Sequence, residues 1–249
     1  MRHSASPMKR RLGEGSAFAL RCSIPDPVTG RACGRPTMRA AGVGLAPHFC
    51  RRHVEHRARH GSHWHGTYTA SQLNPYVAAA SSFVRLWAAN DRFIAAAIDA
   101  IRTKLAEAGP VEIATRLRGL SAEKRAKIAL ARLRVAGVPA ERIVSIVLAV
   151  SALIEEDPAS HRTNEFRTVQ ICKAVHRLAS GTHKFWEIED HQGRKGRTEL
   201  HAYPRSSGRV LRVMGRMLEE PCEWVVEKHL AAVLAHKALY GRRSSRDST

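Results

Sequence analysis

The chain has 249 residues, is 44% apolar but only 6% aromatic, and carries a formal net charge of +19 from 41 Lys and Arg against 22 Asp and Glu. An Ala- and Leu-rich, aromatic-poor composition argues against a sandwich or barrel and for a mainly α fold, and the length allows one large core or two small ones. The longest apolar run, residues 143–154, is broken by Ser145 and Ser151 and is shorter than the about 20 residues a bilayer crossing needs, so no membrane partner is expected.

Residues 1–21, with Arg2, Lys9, Arg10 and Arg11 among Gly and Ser, read as a disordered basic arm without the apolar core of an export signal. Residues 22–66 read as a small metal module. Cys22, Cys33, Cys50 and His53 supply three thiols and an imidazole, ending in a tight Cys-x2-His pair, which is the donor set of a structural Zn2+ site. Four protein ligands leave no open position for water, so the expected metal is a staple rather than a catalyst. Pairing three of five cysteines with a histidine also argues for reduced thiols and a cytoplasmic setting. His56, His60, His63 and His65 follow, as alternative ligands, a second metal site or basic surface.

The Thr29-Gly30-Arg31-Ala32-Cys33-Gly34-Arg35-Pro36 stretch, with Phe49-Cys50-Arg51-Arg52-His53, resembles a short bacterial and phage-type Cys3His zinc motif. That resemblance covers residues 22–53 and implies metal binding and nucleic-acid association.

Downstream, Asn74-Pro75 reads as a helix start, and Phe83, Trp87, Ile94, Ile98, Ile101 and Leu105 recur at helical spacing until Gly109-Pro110. Asn90-Asp91 is a candidate break. If the run is continuous, residues 74–120 form a helical linker whose seam, with Asn90 setting register, fits a homodimer. A short helix at 111–117 is expected next. Ser121 caps a helix ending at Gly137, residues 139–156 form the most apolar helix, and Asn164 opens another that ends near Ser180-Gly181. Alternation then predicts a β-hairpin from strands at 183–189 and 198–203, followed by helices at 207–219 and 221–239 and a disordered tail at 241–249.

Three helices and a basic hairpin, over residues 121–203, resemble the element order of a winged helix. That resemblance implies major-groove reading by the helix at 164–180 and backbone contact by the wing. The candidate base-reading face is Arg167, Gln170, Lys173 and Arg177. Arg194, Lys195 and Arg197 sit at the hairpin tip, and Arg205, Arg209, Arg212 and Arg216 form a stripe suited to phosphates. A solvated face paired with Glu219, Glu220 and Glu223 is the rival reading of that stripe.

Residues 1–65 carry 12 basic and 3 acidic groups, and residues 161–249 carry 17 and 10. Such asymmetry fits a polyanion binder. The expectation is therefore a non-catalytic, zinc-containing DNA-binding protein, a transcriptional regulator or a phage or mobile-element protein, with duplex DNA as partner. A metal-dependent nuclease using His53, Glu55, His56 and His60 is the catalytic alternative, and an RNA-associated or scaffold protein is the third.

Overall fold

A computed structural model describes residues 20–26, 29–112, 117, 119–179, 184–189, 191–200 and 206–246, with the backbone alone at 184–186, 188, 197–200 and 240–246. The basic arm before residue 20, most of the expected helix at 111–117, Arg205 and the side chain of Arg197 lie outside the described residues. The chain is mainly helical and divides into two compact units, Met1–Gly66 and Thr67–Thr249. No single helix among the described residues is long and apolar enough to cross a membrane.

The first unit is built from a hairpin-like turn and one helix. Cys22 N donates to Arg35 O at 2.8 Å, Gly34 N to Cys22 O at 3.0 Å and Cys33 N to Ile24 O at 2.9 Å. Gly34 takes φ +64°, a conformation that costs a glycine nothing and other residues a steric clash with Cβ. Helix α1, Arg51–His60, buries none of its residues and ends at Gly61. Among the described residues the buried apolar cluster here is Cys22, Ile24 and Cys50, with Cys33 and Phe49 against it. So few buried groups cannot offset the entropy of ordering the chain, and a metal is the usual remedy at this size.

The second unit is a helical bundle. Helix α2 (Ala70–Trp87) begins four residues before the predicted Asn74 start, because Thr69 and Gln72 form a reciprocal capping box. Pro75 therefore sits inside the helix. The break at Asn90-Asp91 is present: Asp91 accepts hydrogen bonds from Phe93 N at 2.9 Å and Ile94 N at 3.0 Å, starting α3 (Arg92–Ala106). The single long seam is thus absent. Asn90 is exposed, while Val77, Phe83, Ile94, Ile98 and Ile101 are buried in this unit's own core.

Helix α4 (Ala122–Val135) is capped by Ser121 and closes with Gly137 N on Arg134 O and Val138 N on Leu133 O, both at 3.0 Å, the paired bonds of a Schellman end. Arg134 in turn donates to Leu105 O, Ala106 O and Gly109 O, satisfying carbonyls that the end of α3 leaves open. Helix α5 (Ala140–Glu156) is the centre of the core and packs against α2, α3, α6 (Asn164–His176), α7 (Gly208–Glu219) and α8 (Glu223–Arg246). Such encirclement explains why its apolar residues run all round rather than along one stripe. Strands β1 (Lys184–Glu189) and β2 (Lys195–Leu200) pair antiparallel, with Trp186 opposite Thr198. Helix α8 continues to Arg246, past the predicted end at residue 239.

Candidate metal centre and basic surface

Cys22, Cys33, Cys50 and His53 come together, with one ligand atom from each lying within 4.8 Å of all the others. The hairpin-like turn presents Cys22 and Cys33. Cys50 is the N-cap of α1, and the x2 spacing places His53 in the first turn of the same helix. His53 Nδ1 lies 3.1 Å from Cys22 Sγ and 3.4 Å from Cys50 Sγ, and Cys33 Sγ lies 3.9 Å from Cys50 Sγ. A tetrahedral Zn2+ with Zn–S near ~2.3 Å and Zn–N near ~2.0 Å needs ligand–ligand edges of about 3.5–3.8 Å. The set is compact enough to hold such an ion.

Cys50 sits at the positive end of the α1 dipole. Burial, then the charges of Arg52, His56 and Arg35, holds the His53 imidazole below its ordinary range and keeps it neutral. All five cysteines are free of disulfides.

The further histidines do different work. His56 Nδ1 lies 2.8 Å from Ser62 O, and its ring stacks on His60 at 4.4 Å between centroids. His63 is 7% exposed and stacks on Phe49 at 3.9 Å. His65 Nδ1 lies 2.9 Å from Gly66 O. Among the described residues no second group of three potential ligands forms. Glu55 is engaged by Arg51 Nε at 2.9 Å, whose charge and hydrogen bond hold its carboxyl below the usual range.

Around the centre, Arg21, Arg31, Arg35, Arg39, Arg51, Arg52, Arg57 and Arg59 are all exposed, against Asp26 and Glu55 as the acids of residues 20–66. Helix α1 carries no fully buried residue, and its half-buried side is His53, Val54, His56 and His60, so its guanidiniums stay at the surface.

The predicted base-reading face fares differently. Helix α6 is walled in by α5 and α7, and no residue of it after Asn164 is fully exposed. Gln170 is 2% exposed, and its Oε1 accepts from Tyr68 N at 3.3 Å. Lys173 Nζ donates to Thr67 Oγ1 at 2.6 Å, and burial, then the Arg177 charge, lowers its pKa to about 8. Arg167 pairs with Glu219 at 2.9 Å, and Arg177 Nη1 donates to Tyr68 O at 3.3 Å. Gln170 and Lys173 are structural polar groups of the bundle, since a buried amide cannot reach a base edge. Arg177 is exposed just after the helix.

The arginine stripe is also divided. Arg212 pairs with Glu165, whereas Arg209 and Arg216 are exposed. Arg167, Arg212 and Arg216 line a cavity of about 970 Å³ that also carries Glu165, Glu219, Glu220, Glu223 and Glu227. Five carboxylates facing three guanidiniums cancel the positive potential a phosphate would need. The rival reading of that stripe named Glu219, Glu220 and Glu223; the fold adds Glu165 from α6 and Glu227 from α8. Arg194 and Lys195 are exposed at the hairpin tip.

Sequence reasoning passed over a second cavity, of about 340 Å³, beside the metal centre; Arg31, Arg35, Arg52, His56, His63 and Trp64 contribute to its walls. The signal available was basic and aromatic residues on both sides of the ligands. No protein-family model, curated protein or solved structure matches the chain.

Proposed function

We propose that the chain is a non-catalytic nucleic-acid-binding protein whose contact surface is the arginine-rich N-terminal unit, held in shape by Zn2+ on Cys22, Cys33, Cys50 and His53. The observation that carries this reading is the eight exposed arginines of residues 20–66 set around that Cys3His group, with two acids among them. Three soft thiolates and one imidazole favour Zn2+ over oxygen-seeking cations. Four protein ligands fill its tetrahedron, which supports a structural rather than a hydrolytic metal. The helical bundle then serves as a scaffold, its arginines at positions 167 and 212 occupied by Glu219 and Glu165.

Binding of this kind releases counterions, so the logarithm of the affinity falls linearly with the logarithm of salt, by about 0.9 for each phosphate neutralised on duplex DNA. The triple variant Arg52→Ala, Arg57→Ala, Arg59→Ala should lower that slope by about 2–3, measured by fluorescence anisotropy across a salt series. Arg209→Ala with Arg216→Ala should leave it nearly unchanged. A slope lost in the α7 double variant and retained in the α1 triple variant would move the contact surface to the bundle and reject the proposal.

A further inference from the structure

The cavity beside the metal centre has the features of a ligand site. At about 340 Å³ it lies at the small end of the ~300–1,000 Å³ range of ligand pockets, room for one nucleotide but not for a duplex. Arg31 and Arg35 enter it from the hairpin-like turn and Arg52 from the first turn of α1. Among the described residues none of the three is held in an ion pair. Asp26 is the one carboxylate among the described residues of the wall, and its Oδ1 accepts from Thr29 N at 2.9 Å and Thr29 Oγ1 at 3.2 Å.

Another part of the wall is aromatic and fixed in place. His63 is stacked on Phe49, and the His56 ring is oriented by the Ser62 carbonyl. The buried Ser62 Oγ accepts from Trp64 N at 3.3 Å and His65 N at 3.0 Å, pinning the backbone that carries Trp64. Trp64 itself remains 38% exposed. Guanidiniums and an indole lining the same cavity match a phosphate joined through a sugar to a planar base. Stacked, paired bases cannot enter a cavity this small, whereas a base of a single strand can stack on an aromatic side chain.

We propose that this cavity holds one unstacked nucleotide of a single strand, with its phosphate on Arg31, Arg35 and Arg52 and its base against Trp64. The inference rests on the nucleic-acid reading above and makes it specific: the N-terminal unit prefers single-stranded over duplex nucleic acid.

The test uses the full-length, metal-loaded chain with a labelled oligothymidylate of about 12 residues, within the ~4–16 nucleotides such sites cover, and a duplex of equal length. Trp64→Ala should weaken binding to the single strand about tenfold, in line with the loss of one base–aromatic stack, while duplex affinity stays level. Trp64→Phe should restore most of the loss. Arg35→Ala should reduce single-strand affinity more than duplex affinity, whereas Arg59→Ala, outside the cavity on α1, should weaken both equally. Metal content and far-ultraviolet circular dichroism establish that each variant is folded. Equal losses for the two ligands in folded Trp64→Ala and Arg35→Ala overturn the nucleotide site while leaving the electrostatic reading intact. Failure of the unaltered protein to bind either oligonucleotide overturns both.

Discussion

At Gly215, α7 presses close on α6. A Cβ there would lie 2.5 Å from the Thr168 carbonyl oxygen and 2.5 Å from its Cγ2. Gly215→Ala would gain about 1 kcal/mol in helix propensity, but the clash is with backbone and cannot be relieved by a side-chain rotation. Overpacking of this kind costs about 1–3 kcal/mol, so a net loss of up to about 2 kcal/mol is expected, read as a lower midpoint in urea denaturation. Lys173 offers a pH-dependent counterpart. Its folded-state pKa of about 8 lies below the ordinary value of 10.5, so the folded state gives up its proton first as pH rises. The unfolded chain then binds more protons, and stability increases between about pH 8 and pH 10. Lys173→Met should remove that increment; an unchanged pH profile of the unfolding free energy would show that the group is not desolvated.

At the scale of elements, most boundaries were legible because capping is local chemistry. The break at Asn90-Asp91 and the Ser121 cap could be read from the chain, and both Asp91 and Ser121 accept from first-turn amides; Asn164, read as the opening of α6, stands next to the actual cap, Thr163. The α2 start was misplaced because Asn74-Pro75 is a stronger textual signal than Thr69-x-x-Gln72, while the capping box satisfies more of the free amides. The polar side of α6 departs from its pattern for a different reason. Arg167, Gln170 and Lys173 look like a solvent-facing polar side, yet each meets a polar group brought by another segment: Glu219, the Tyr68 amide and Thr67. An amphipathic pattern tells which side is polar; it does not tell whether that side is covered.

For the whole molecule, the two compact units rest on unequal foundations. The bundle has an extended core that includes Phe166, Ile94, Leu133, Ile143 and Met214, whereas the N-terminal unit has the small cluster around its cysteines. Removing metal with a strong chelator should therefore unfold the first unit and leave the second folded. Thermal denaturation before and after chelation checks this: one transition should disappear and the bundle transition should stay in place, with about one Zn2+ per chain released as read by mass spectrometry. Cys50→Ala should reproduce the chelated profile without chelator. A metal-free chain whose first unit keeps its native amide-exchange protection would exclude a structural metal.

By itself the sequence determined the mainly helical class, the Cys3His group that comes together in the fold and most helix ends, because each depends on residue types at short, fixed spacing. The tertiary structure alone decided which charges remain available. It placed five glutamates in the cavity lined by three arginines of α6 and α7, buried Gln170, and left the arginines of the first unit exposed beside a cavity with an aromatic wall. The physical reason is that a charge acts through its surroundings, and those surroundings come from segments roughly fifty or a hundred residues away, as with Glu219 beside Arg167 and Tyr68 beside Gln170.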